Sequence, residues 1–458
     1  MSKKLIIIGG VAAGAKTAAK ARRQDDSLEI TIYTSDKHIS YSGCGLPYYI
    51  SNTVKDCDNL IVRTPEEFKE KHNIDIYVEQ LVTKLDPDKK EIHIKCLKTG
   101  KEYTAEYDIL MIATGASPFV PPIEGVNLEN VYTLRSITSA AKIKEMIYAG
   151  KAKNPVIIGG GLIGMECAEA FSEQGLNVTV IELADQLIPL MDKELAQIIE
   201  EHVKARGIKV ITGDGVKQIV GDEEDKVSKV ITSNEEIEAD LVLLSIGIRP
   251  NVQFAKEAGI ELGKSGAIKV NKKMQTNIPD IYSAGDCVET YNIITDEPIY
   301  TPLGSVANKQ GRVAAINITG GEEEFAGVLN TVIVKICDLN VAKVGFSEKE
   351  VKDRGYDYVV TTVIGKDKAG YHPDAKPLTI KMIANKNDHK ILGCQIVGEG
   401  ASDKRIDVVV TAITGGLTVK ELEQVDLAYS PPYSPATDLI LIAASQLVKQ
   451  LARERVKS

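Results

Sequence analysis

Cys44 stands between two glycines, Gly43 and Gly45, immediately before a stretch from Leu46 that reads as a helix. Backbone amides at a helix start favour negative charge, so a thiol placed there ionises readily and becomes a nucleophile. Such a sulfur works through mixed disulfides, persulfides or a sulfenate. The bland alternative is a buried packing cysteine. That is the reading given to Cys96, Cys167, Cys337 and Cys394, and to Cys287 as well, while Cys57 stays open.

A second chemistry is written in glycine. Gly159-x-Gly161-x-x-Gly164 follows an apolar strand and opens a helix, the setting in which three glycines allow a tight turn, close backbone approach to a pyrophosphate, and helix–strand packing. Glu182 closes the next strand, where a carboxylate accepts from ribose hydroxyls and repels a 2'-phosphate, so NADH is expected over NADPH. The N-terminal loop is less regular: Gly9-x-Val11-x-x-Gly14 lacks the middle glycine, and Thr34 stands where an acid is expected, with Asp36 as the nearest substitute. Two distant segments strengthen it, Thr114-Gly115 after an apolar strand and Ala284-Gly285-Asp286 after another, with Asp286 placed for a polyol hydroxyl and a helix start expected beside it. Together they point to FAD.

These residues need elements to hold them. Residues 5–8, 12–23 and 28–33 read as strand, helix and strand, and 156–158, 163–174 and 178–181 repeat the unit. β-rich stretches follow at 74–94, with a turn at 86–88, and at 227–244. From about residue 326 the pattern becomes α+β, with strands at 331–336, 358–364, 378–384 and 391–397, then helices at 403–414 and 439–453. At 458 residues the chain needs several domains. Its net charge of -9, with no Lys/Arg block beyond a pair, argues against a nucleic-acid partner. No apolar run reaches membrane-spanning length, and the six histidines form no metal spacing. Lys3-Lys4 before an apolar run imitates a secretory leader, but Lys16, Lys20, Arg22 and Arg23 follow without a cleavage region, so a cytoplasmic chain with thiols is expected.

Over nearly its whole length the chain resembles the flavoprotein reductases with two dinucleotide-binding folds. Ser40-Tyr41-Ser42-Gly43-Cys44-Gly45-Leu46-Pro47-Tyr48-Tyr49 and Asp426-Leu427-Ala428-Tyr429-Ser430-Pro431-Pro432 resemble the single-cysteine branch that holds coenzyme A-disulfide reductase, coenzyme A persulfide reductase, NADH oxidase and NADH peroxidase. The resemblance implies two Rossmann-like domains, for FAD at 1–115 and 246–325 and for NAD at 151–245, a connector at 116–150, and a C-terminal α+β dimerisation domain at 326–458. It implies a homodimer that reduces a small disulfide or persulfide, coenzyme A-linked as that branch's substrates are, through Cys44, because the second cysteine of glutathione-reductase-like enzymes is Tyr49 here. Tyr371 and Tyr429 match tyrosines that approach the active cysteine from the partner subunit; packing is their plainer role. Lys20 and Arg23, at i and i+3, together with Ser40, match the side that takes coenzyme A, though the two cations also read as a solvated face. Lys309 falls on the flavin and substrate channel. Three departures stand out: Ala12 where the branch's oxidases and peroxidases carry histidine, Gly43 where the disulfide reductases carry asparagine, and an end at Ser458 that leaves no sulfur-delivering rhodanese domain expected. An oxygen-reducing NADH oxidase with a Cys44 sulfenate is the alternative activity, and a flavin electron-transfer or redox-sensing protein the alternative class.

Overall fold

The computed structural model describes residues 2–457, which divide into two compact units built from interleaved segments. The first takes residues 2–119, 133–148 and 247–328; the second takes 120–132, 149–246 and 329–457. The stretch expected as a connector, 116–150, is divided between them.

In the first unit a five-stranded parallel sheet runs in the order Ile281–Ser283, Ile109–Ile112, Lys4–Ile8, Glu29–Tyr33, Asp75–Tyr77. Strand Lys4–Ile8 is central, and its residues 5–8 are buried, which is why it reads as an unbroken apolar run instead of an alternation. Helix Ala13–Gln24 packs against helix Gly304–Ile318 at Gly311, where a Cβ would stand 2.6 Å from the Ala13 carbonyl oxygen. A separate antiparallel sheet joins Gln80–Asp86, Glu91–Cys96 and Glu102–Glu106, with the expected turn between the first two. One expectation is corrected: no helix begins at Asp286. The chain passes through the short ribbon Thr290–Tyr291 and Pro298–Ile299 before helix Gly304–Ile318 starts, and that helix reaches back when Gln310 Oε1 accepts from the Gly285 N–H at 2.8 Å.

The second unit repeats the parallel plan and adds an antiparallel layer. Four strands of its first sheet run parallel in the order Lys209–Thr212, Thr179–Glu182, Pro155–Ile158, Leu241–Leu244. Helix Leu162–Glu173 connects the third of these to its neighbour. The C-terminal sheet is antiparallel, ordered Val332–Ile336, Leu339–Gly345, Ile391–Gly398, Pro377–Asn385, Tyr358–Lys366. Strand Leu339–Gly345 was not expected from the sequence; the other four, and helices Asp403–Thr414 and Leu439–Lys457, were. A buried ion pair ties the region together: Arg405 donates to Asp438 at 3.0 and 2.8 Å, and to the Ala401 and Asp367 carbonyls at 2.6 and 2.8 Å.

Candidate active site

The N-terminal glycine loop is closed by backbone against backbone. A Cβ on Gly9 would lie 2.1 Å from the Ala113 oxygen, and one on Gly14 would lie 1.9 Å from the Gly9 oxygen, so both glycines are sterically required. This draws the loop against Thr114 and Gly115. Thr114 and Asn251 hold each other, the hydroxyl donating to the Asn251 carbonyl at 2.7 Å and the Asn251 amide returning a bond to the Thr114 carbonyl at 3.0 Å. Ser40 joins through its main chain, which adopts φ 47° and donates to the Gly10 carbonyl at 2.8 Å. Thr34 is buried, and the Asp36 carboxylate accepts from the Tyr41 hydroxyl at 3.0 Å, fixing the segment that leads to Cys44. Burial, then the Asp36 charge, pushes the Tyr41 phenol up, so it stays a donor.

Cys44 is exposed, in the turn Gly43–Gly45 that opens the short helix Leu46–Ile50. The opposite strand of its loop is residues 60–62: Ser42 N–H donates to the Leu60 carbonyl and Val62 N–H to the Ser40 carbonyl, both at 2.8 Å. Tyr49 turns its ring under the Lys144 ammonium, 3.9 Å from the ring centre. Cys57 is half-buried, and burial followed by Asp58 and Asp56 pushes its thiol up.

Arg135 is the residue that sequence reasoning missed. Its guanidinium comes within 3.8 Å of the place a Cβ would take on Gly43 and within 3.2 Å of that on Gly115, and it lies 3.6 Å from the Asp286 carboxylate. One cation therefore links the cysteine turn, the Thr114 loop and the Asp286 turn. Nothing in the local pattern around Thr133 to Ser136 announces it. Burial pushes the Asp286 carboxyl up, with Arg135 opposing. A partly buried acid beside a cation fits the polar chain of a dinucleotide such as FAD, whose hydroxyls donate to the acid. Lys309 is on the exposed face of helix Gly304–Ile318, and its neighbour Gln310 is the side chain that meets the Asp286 turn. Lys20 is half-buried and Arg23 exposed, both on helix Ala13–Gln24.

The second glycine loop lies in the other unit. Gly164 approaches Gly159 as Gly14 does Gly9, with a Cβ 2.0 Å from the Gly159 oxygen. Gly161 differs, since a Cβ there would meet nothing within 4 Å. Open space at the centre of the loop, at the start of helix Leu162–Glu173, suits a bound pyrophosphate. The Glu182 carboxylate accepts from the Gly160 and Ala184 N–H groups at 2.7 and 2.8 Å, so its position is set by the loop it serves. Glu166, two residues past Gly164, was also missed. Burial, then Glu169, pushes its carboxyl up to about 7. Two acids, Glu166 and Glu169, in the otherwise apolar run from Leu162 to Phe171 were the available signal.

Tyr371 and Tyr429 are 77% and 52% exposed on two loops of the second unit, joined by the Ala369 N–H donating to the Pro431 carbonyl at 3.3 Å. The structure thus brings the two tyrosine loops together.

The chain matches the family model of pyridine nucleotide-disulphide oxidoreductases over residues 3–311 and that family's dimerisation domain over residues 331–439. It belongs to the pyridine nucleotide-disulphide oxidoreductases. Among relatives, the NADH oxidase of Methanocaldococcus jannaschii is 39% identical over 98% of this chain and 100% of its own length. The NAD(P)H coenzyme A polysulfide/persulfide reductase of Pyrococcus horikoshii is 36% identical over 98% and 99%. The solved NAD-dependent persulfide reductase from A. fulgidus superposes with a TM-score of 0.95 at 42% identity, over 99% of this chain and 84% of that one.

Within this oxidoreductase the remaining cysteines divide. Cys167, Cys287, Cys337 and Cys394 are buried, and burial pushes each thiol up. Cys96 is a correction: it ends strand Glu91–Cys96 half-buried, and hydrogen bonds from Thr99 and then Gln80 hold its thiol down to about 7. No helix among the described residues is long and apolar enough to cross a membrane.

Proposed function

We propose that this oxidoreductase is an NADH-dependent, FAD-containing reductase of low-molecular-weight disulfides or persulfides, coenzyme A derivatives foremost, acting through Cys44. The observation that carries this is the exposed Cys44 in its glycine turn, with the Arg135 cation beside Gly43 and a tyrosine in place of a second cysteine at position 49. Coenzyme A sulfur chemistry in the name of the Pyrococcus relative, and persulfide reduction in that of the A. fulgidus structure, support the substrate class.

Gly9, Gly14, Thr114, Gly115 and Asp286 hold FAD in this reading, and Lys309 lines the approach. Gly159, Gly161, Gly164 and Glu182 hold NADH. When bound, the flavin supplies two-electron transfer between nicotinamide and sulfur. Lys20, Arg23 and Ser40 take the coenzyme A portion of the substrate. The Cys44 thiolate attacks the sulfur–sulfur bond, forming a mixed disulfide and expelling the other half as a thiolate. A phenol protonates that leaving group without bringing charge, a role that in this reading falls to the partner subunit's Tyr371 or the partner subunit's Tyr429 in a homodimer. In sum NADH, one proton and RSSR give NAD⁺ and two RSH; with RSSH the products are RSH and H₂S.

The deciding assay follows NADH consumption without air against coenzyme A disulfide, coenzyme A persulfide, polysulfide and glutathione disulfide, for the wild type and Cys44→Ser. Cys44→Ser should keep FAD and NADH binding and lose sulfur reduction on the order of a thousandfold or more. Full activity in that variant refutes the mechanism. The name of the Methanocaldococcus relative favours a second reading, oxygen reduction with a Cys44 sulfenate. It predicts rapid NADH consumption in air with no sulfur substrate added.

A further inference from the structure

Asp192 occupies the N-cap position of helix Lys193–Ala205, yet its side chain makes no capping bond to that helix. Its carboxylate serves a different helix. It accepts from the N–H of Glu348, the first residue of helix Glu348–Asp353, at 3.1 and 3.0 Å. Gln395 Nε2 donates to it at 2.6 Å, Lys381 Nζ lies 3.0 Å away, and the Asp192 N–H donates back to Gln395 Oε1 at 2.8 Å. Lys381 and Gln395 face each other across the C-terminal sheet, and Lys381 also binds Glu194 and Glu348. Residue 192 is thereby gripped at both its main chain and its carboxylate by the antiparallel sheet.

The segment that ends at Asp192 begins at Glu182 and is pressed against the second glycine loop. Ile188 N–H donates to the Gly160 carbonyl at 2.9 Å, while Gly160 N–H donates to Glu182, so residue 160 is held on both sides by this one segment. Leu187 sits where a Cβ on Gly160 would go, its Cδ2 2.6 Å away. Ile188 is fully buried at φ 46°, a conformation that a β-branched residue adopts only under constraint. Met191 N–H donates to the Ile188 carbonyl at 2.9 Å, one residue before the grip at Asp192. A strained residue anchored on the nucleotide loop at one end needs a firm hold at the other.

We infer, resting on the assignment of NADH to this loop, that Asp192, Gln395 and Lys381 are positioning residues for the dinucleotide, acting through segment 183–191 on Gly160. The C-terminal sheet then sets how well the loop is preformed for NADH and leaves the sulfur chemistry alone. Loosening the grip lets Ile188 relax and Gly160 drift, so NADH must order the loop as it binds.

The test measures KM for NADH, kcat, and anaerobic NADH affinity by fluorescence in Gln395→Met and in the gentler Asp192→Asn. Gln395→Met, which removes both bonds to residue 192, should weaken NADH binding about tenfold. Its kcat at saturating NADH should stay within about twofold. The control is Asp438→Ala, which breaks the buried Arg405–Asp438 pair, 2.8 Å, in the same C-terminal region and away from Asp192, Gln395 and Lys381. It should lower the melting temperature and leave the KM for NADH unchanged. An equal rise of KM in Asp438→Ala, or unchanged NADH affinity in both test variants while Glu182→Ala weakens it, overturns the inference alone. Unchanged affinity in Glu182→Ala removes NADH from this loop, and the inference falls with that assignment.

Discussion

Glu166→Gln should stabilise the protein, and only above acidic pH. The carboxyl of Glu166 is pushed from an ordinary 4.5 to about 7, first by burial and then by Glu169. A raised acid weakens the fold wherever the unfolded chain has released its proton and the folded chain has not. Below pH 4.5 both forms are protonated and the penalty is zero. Between 4.5 and 7 it grows with pH, and above 7 it is complete. At 1.36 kcal/mol per pH unit, the full penalty is about 3 kcal/mol. A neutral glutamine of the same shape carries no such penalty.

The assay is the thermal midpoint of both proteins from pH 5 to pH 9 without nucleotide. A unit of this size moves by roughly 2–4 °C per kcal/mol, so the variant should gain several degrees at pH 8 and little at pH 5. A gain of equal size at every pH refutes burial of charge as its source. A variant less stable than the wild type at pH 8 reverses the sign, and would mean that a cation holds the Glu166 carboxylate. Glu169, the natural competitor for such a cation, is already paired with Lys335 at 2.6 Å.

Two further outcomes follow from packing. Asp438→Ala strips the partner from the buried Arg405 guanidinium and should cost roughly 3–5 kcal/mol in urea or thermal unfolding; a loss below about 1 kcal/mol would show that the two carbonyl acceptors suffice. Gly161→Ala should leave the melting temperature within about a degree and raise the KM for NADH about tenfold, whereas Gly164→Ala should destabilise outright because its methyl meets the Gly159 carbonyl.

The parallel sheets were legible in the sequence because burial on both faces writes short apolar runs next to glycine turns, as at Leu5–Ile8 and Val156–Ile158. Strand Leu339–Gly345 was not, since Asn340 and Lys343 interrupt it; Lys343 is buried there because Glu350 pairs with it. Helix Glu348–Asp353 did carry a readable signal, the Ser347 and Glu350 capping box. The candidate site divides along the same line. Local motifs marked Cys44 and both glycine loops. Arg135, Gln310 and Gln395 matter through partners far away in the chain, and an isolated arginine or glutamine carries no local sign of such a partner.

The two glycine loops, compared, separate what the fold demands from what a ligand demands. Gly9 and Gly14 in one, and Gly159 and Gly164 in the other, stand so close to main chain that a methyl group on any of them would overlap a backbone oxygen. These four are requirements of the turn itself, and they recur in both loops whatever is bound. The middle position behaves differently. It is Val11 in the first loop, so the turn closes with a branched side chain there; it is Gly161 in the second, where φ is -80° and a methyl would meet nothing. Neither strain nor packing accounts for the bare Gly161. What remains is room for something outside the chain to approach the backbone, the requirement a pyrophosphate imposes. The second loop therefore leaves its backbone more open to an approaching phosphate than the first, where the Val11 side chain occupies the corresponding position.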